Sequence, residues 1–155
     1  MRPHQTGPPE PTRGARPPGK LPAVAADLFE VTLPAALGTP AAARAAFTAW
    51  MAGRVSATML ADAQLLLGEL VTNSVRHADA ADDAVVSVRA QLRPDGLRLE
   101  IKDRGSIGPI ARRLPDRRSG GGFGLDIVEV LSRRWGVNRD AGTCVWADLA
   151  FPATG

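Results

Sequence analysis

Tyrosine is missing from this sequence, cysteine occurs once, and aromatic residues make up only 5% of the chain. Without tyrosine there are few ring faces on which bases can stack, which weighs against a single-stranded nucleic-acid platform. The single cysteine, Cys144, cannot form an intrachain disulfide. Lying in an apolar alternating run, it reads as a buried core thiol. Long apolar runs are lacking too. No window reaches the ~18 residues a membrane-crossing helix needs, and Arg44 interrupts the Ala-rich stretch PAAARAAFTAW. The N-terminal residues contain no apolar block of the kind a signal peptide requires. A cytoplasmic protein without a membrane partner is expected. Zinc-ligand spacing, an aromatic RNA-binding signature and a helix-turn-helix pattern are all absent as well.

What is present fits one domain with a real core: 155 residues, of which 45% are apolar. The formal charge is +3, with an isoelectric point of about 10.0. The basic residues gather in residues 1–26 and in Arg104 to Arg118, not along one helix, so no direct contact with nucleic acid is expected. Residues 1–26 hold a large share of the prolines, interleaved with Arg and Lys. Such a composition buries too little apolar surface to offset its ordering entropy, and it predicts a disordered tail before a domain at 28–151.

Along that domain, Leu28 to Leu33 alternates and stops at Pro34, which predicts an edge strand. Pro40 opens a helix to about Met51, with Gly53 as its stop. Ser56 is the expected N-cap of a longer helix reaching about residue 78, with Met59, Ala63, Leu66, Leu67, Leu70 and Val71 at helical spacing. Residues 84–90 and 97–101 read as a hairpin around Pro94-Asp95-Gly96. Residues 103–122 have no stable period and read as a long loop, of a length that is usually functional or disordered. A third helix is predicted over Gly124 to Arg134, with Leu125, Val128 and Leu131 inward. A last strand pair is predicted over 135–138 and 143–149. The sum is an α+β two-layer sandwich, with a mixed or antiparallel sheet and helices on one face.

Three pieces carry chemistry. Glu69, Asn73 and His77 follow at i, i+4 steps and line one helix face. An Asn amide oxygen is a hard donor suited to Mg²⁺, and a carboxylate one turn away suits a general base. Taken alone, the same residues suit solvated positions or caps. Asp103-Arg104-Gly105 ends a predicted strand. Its carboxylate can accept an adenine amino hydrogen while the glycine admits a close ring, although by itself the triplet is also an ordinary turn. Gly120-Gly121-Gly122-Phe123-Gly124-Leu125 enters a helix. Amides there can hold phosphate, and a plain hinge has the same composition. It is neither a Walker nor a Rossmann pattern.

Taken in order, E-L-V-T-N-S-V-R-H-A, D-R-G and G-G-x-G-L-x-I-V…L-x-x-x-W-G-V resemble the histidine-kinase-like (Bergerat-fold) ATPase superfamily. Within it the chain is most similar to the anti-sigma factor serine kinases, among them small actinobacterial ATP-binding regulators. The resemblance spans about residues 28–151 and implies ATP and Mg²⁺ as cofactors. It makes Asn73 the Mg²⁺ ligand, Glu69 the catalytic base and Asp103 the adenine reader, helped by Gly105 and Thr143. Gly122 and Gly124 would contact phosphates, Leu125 would begin the helix after the lid, and His77 and Arg76 would stand near the phosphate end. Arg104, Arg112, Arg113, Arg117 and Arg118 would lie in or beside the lid.

The activity implied is phosphorylation of serine or threonine in an anti-sigma-factor antagonist, by a protein that also grips a sigma factor. Homodimers are common in such proteins. The alternative is a noncatalytic ATP-binding switch that only sequesters a partner. The sequence departs from the family pattern at Ile107, which stands where a second glycine is usual, with Gly108 one place later.

Overall fold

The computed structural model describes residues 27–78, 82–104 and 123–152. Strand β1 (Leu28–Pro34) is followed by helices α1 (Thr39–Met51) and α2 (Ala57–His77). The hairpin β2 (Val85–Arg93) and β3 (Gly96–Asp103) comes next, then α3 (Phe123–Leu131), β4 (Arg134–Asn138) and β5 (Thr143–Ala150). The strands form one sheet in the order β1-β2-β3-β5-β4, and every neighbouring pair is antiparallel. The sheet is therefore antiparallel throughout, with the helices packed on one side. The tail expected over residues 1–26 lies outside the described residues.

Local chemistry explains where the elements start and stop. The Ser56 hydroxyl accepts from the Met59 amide at 3.2 Å, satisfying one of the donors orphaned at the start of α2. Replacing Ser56 with alanine should cost about 1 kcal/mol, read as a lower urea midpoint with an unchanged m-value. Pro40 sits in the first turn of α1, where its missing amide hydrogen is harmless. The Thr39 hydroxyl donates to the Pro34 carbonyl and ties the helix to the end of β1.

Helix α3 ends at Leu131, three residues before the expected stop at Arg134. Ser132 donates its hydroxyl to the Val128 carbonyl, and the Arg133 amide leaves the helix to bond the Asp148 carbonyl at 2.8 Å. Pairing with β5 then takes Arg134 into the sheet. Arg133 also donates to Asp95 at 2.8 Å. That contact holds the Asp95 carboxyl below its ordinary range.

Register places Phe29, Val31 and Leu33 of β1 beside Ala90, Val88 and Val86 of β2. The same face continues through Leu99, Ile101 and Asp103 of β3 to Ala147, Val145 and Thr143 of β5. Most of these apolar side chains are buried with Phe47, Met51, Leu66, Leu67, Leu70 and Val71 from the helices. Phe29, Phe47 and Trp50 close one end of this core, with ring centroids 5.6–6.0 Å apart.

Cys144 is a correction. It pairs with Lys102 and Asn138 on the opposite face, helix-free among the described residues, and is half-buried, not a core thiol. Burial and the nearby Glu100 push its thiol pKa up, so the group stays protonated at neutral pH. Around it the helix-free face is built of charge. Arg89 lies 3.3 Å from Glu30 and 4.0 Å from Glu100. Asp148 is buried there among Arg98 at 3.2 Å, Arg134 at 2.8 Å and Arg93 at 3.7 Å.

Candidate functional site

The second half of α2 alternates between anchoring and display. Leu70, Val71 and Ser74 are buried, while Glu69 and Asn73 are half-buried, and Arg76 and His77 are exposed. The i, i+4 spacing sets Glu69 and Asn73 one turn apart along the edge of the helix that meets the core. His77 closes the row at the last helical residue, where the Ala78 amide bonds the Ser74 carbonyl at 2.8 Å. A polar row at a helix end, rising from half-buried to exposed, suits a ligand that enters from solvent.

The chain then passes through residues 78–84 into β2. Helix α2 packs on β2 and β3, and at one end of that sheet Val86 pairs with Asp103, and Asp103 pairs with Thr143. Asp103 is only 5% exposed, on the face that bears the helices, in line with Ile101 and Leu99. Thr143 stands directly opposite it on β5 and is half-buried. A carboxylate and a hydroxyl are thus brought together at one end of an otherwise apolar face, the kind of paired polar group that orients a flat heterocycle.

Gly142, just before β5, fixes this pairing. Its φ is +92°, a backbone state that side chains disfavour. A Cβ there would lie 2.3 Å from the Asp103 carbonyl oxygen and 3.1 Å from the Arg104 Cα. The turn between β4 and β5 is pressed onto the Asp103-Arg104 backbone, and only glycine permits that approach. The available signal was glycine after Asp140-Ala141, just before a strand. Arg104 reaches back to Asp83 at 3.5 Å, across to the turn before β2. Both side chains are largely exposed, so this link adds little stability.

Gly105, Gly122, Arg112, Arg113, Arg117 and Arg118 lie outside the described residues. Gly124 and Leu125 fall in the first turn of α3, the Leu125 side chain lying outside the described part. Helix α3 packs on α2 and buries Val128, so its N-terminal turn belongs to the helix layer that carries Glu69 and Asn73. Backbone amides in such a turn favour anions.

Among the described residues no three His, Cys, Asp or Glu side chains group as an all-protein metal cage would require. The α2 row instead offers one hard oxygen donor, the Asn73 amide, with the Glu69 carboxylate one turn away as a base. That number fits Mg²⁺, which is usually held by one or two protein oxygens and completed by phosphates and water. The donor set therefore fits a metal–nucleotide pair better than a free cation.

The sequence profile of the histidine kinase-like ATPase domain matches residues 33–149, which include every site residue discussed above. No curated protein matches the chain.

Proposed function

The chain belongs to the histidine kinase-like ATPase family, and from that premise we propose that it binds ATP with Mg²⁺ and transfers phosphate to a partner protein. The observation that carries the reading is the α2 row of half-buried Glu69 and Asn73, on a helix packed against the strand that bears the buried Asp103 facing Thr143. When bound, ATP supplies the phosphoryl group and Mg²⁺ neutralises its charge.

Asn73 holds the cation through its amide oxygen. Asp103 accepts a hydrogen bond from the adenine amino group, and Thr143 orients the base beside it. Glu69 takes the proton from a serine or threonine hydroxyl presented by the partner. The first turn of α3, Gly124 included, offers its amides to the phosphates. The partner proposed is an anti-sigma-factor antagonist, and the unmodified protein would hold a sigma factor.

The test is phosphotransfer from labelled ATP to candidate antagonists, by wild type and by Glu69→Gln. The glutamine keeps the size and polarity of the side chain but cannot take a proton. Transfer is expected to fall by roughly 10²–10⁴-fold while ATP affinity stays near that of wild type. Equal transfer by both proteins would remove Glu69 from the chemistry. ATP binding by wild type, with no transfer to any antagonist, would favour a noncatalytic switch that sequesters its partner.

A further inference from the structure

On the helix-free face, the strand register sets Arg98, Asp148 and Arg134 side by side on β3, β5 and β4. Arg93 reaches the same carboxylate from β2. Asp148 is 4% exposed in its side chain, whereas Arg93 is 36% and Arg134 62% exposed. One buried carboxylate thus holds three guanidinium groups, two of which still face water. Glu100 takes a further bond from Arg98 at 3.0 Å but also lies beside Arg89. Across the whole face, Arg89, Arg93, Arg98, Lys102 and Arg134 outnumber Glu30, Glu100 and Asp148, leaving a positive surplus at the Asp148 corner.

Trp146 completes that corner. It points outward beside Glu100, and Arg98 lies over its ring at 4.3 Å. A Cβ at Gly136 would stand 2.7 Å from the indole, so the ring rests directly on the β4 backbone. Tryptophan and arginine, already ordered by neighbours before a partner arrives, lose little entropy on binding.

We propose that this corner of the sheet, formed by Arg93, Arg98, Arg134 and Trp146 around Asp148, docks an acidic segment of a partner protein. Carboxylates on that segment take the guanidinium donors that Asp148 leaves unfilled, and an apolar neighbour covers Trp146. Among the described residues this face is an open sheet surface, without walls to enclose a small anion, which suits an extended acidic chain. It lies across the sheet from Asn73 and Asp103, so docking here does not depend on nucleotide binding.

The probe is a fluorescein-labelled oligoglutamate peptide, titrated without nucleotide at low salt into three full-length proteins. They are wild type, Arg93→Gln/Arg134→Gln, and the charge-matched control Arg44→Gln/Arg139→Gln, whose sites lie in α1 and beyond the end of β4. The first pair should weaken binding by roughly tenfold or more, the control by less than about twofold. The Trp146 indole N–H resonance, identified with Trp146→Phe, should shift on titration. Should the double variant fold poorly, Arg134→Gln alone is expected to give a smaller loss in the same direction. Equal loss in both double variants overturns the proposal, because net charge alone would then account for binding. An unmoved indole resonance also overturns it. So does a wild-type dimer in sedimentation that Arg93→Gln/Arg134→Gln dissociates, since the face would then be covered by a second copy.

Discussion

Asn73→Ala is expected to weaken binding of Mg²⁺–ATP by roughly ten- to a hundredfold in isothermal titration, while leaving the protein folded. The expectation rests on the amide oxygen of Asn73, half-buried one turn after Glu69. If that oxygen reaches the cation, its removal should matter only when metal is present. The gap between wild type and variant should therefore shrink when Mg²⁺ is chelated. Loss of fold is not a competing explanation. Alanine has a higher helix propensity than asparagine by about half a kcal/mol, and Asn73 lies inside α2. Equal affinities with and without the substitution would remove Asn73 from the metal site. A folded wild type that binds no ATP would remove the autonomous pocket altogether.

Gly142→Val should have the largest effect on stability, because two penalties coincide at one residue. Its backbone sits at φ +92°, where a β-branched side chain is strained by about 1–3 kcal/mol. Its Cβ would also stand 2.3 Å from the Asp103 carbonyl oxygen, so the strand end must move. A combined loss of roughly 2–4 kcal/mol is expected, measured by urea denaturation. ATP affinity should fall with it, since Asp103 is displaced from Thr143. Ala141→Val, one residue earlier and exposed, is the control and should change neither quantity appreciably. If Gly142→Val denatures at the wild-type midpoint, the tight packing of that turn on β3 is wrong. If it is destabilised yet binds ATP normally, Asp103 does not read the nucleotide.

The helix starts were legible because their causes are local. Ser56 caps α2 through its own hydroxyl, and Pro40 suits a first turn whatever lies around it. The β2–β3 hairpin was legible for the same reason, its turn chemistry being written in Pro94-Asp95-Gly96. The end of α3 was not, because the Arg133 amide is taken by Asp148, a partner fixed by the fold. Cys144 was misplaced because alternation along β5 marks two faces without saying which one meets the helices. In β5 the outward set contains Trp146 as well as Cys144, so apolar character gave the wrong sign.

The candidate site divides in the same way. Glu69, Asn73 and His77 share a helix face by spacing alone, and Asp103 could be placed at a strand end. The pairing of Asp103 with Thr143 brings together residues distant in sequence, and only the sheet order supplies it. The arginines around Asp148 were hidden for that reason too: they come from three strands, and none carries a motif.

The two hairpins differ sharply from the two pairings that complete the sheet, β1 with β2 and β3 with β5. Strands β2 and β3 adjoin in sequence, as do β4 and β5, whereas β1 reaches β2 only after both long helices have been passed. Closing a loop of that length costs entropy before any β1 contact is gained. The hairpins can form early from their own turns, while β1 depends on a surface that must already exist. In kinetic terms β1 leaves the ribosome well before the strand it pairs with. Until β2 emerges and folds, Phe29, Val31 and Leu33 have no sheet to join, which makes the nascent N-terminal part of the domain the stretch most exposed to misassociation.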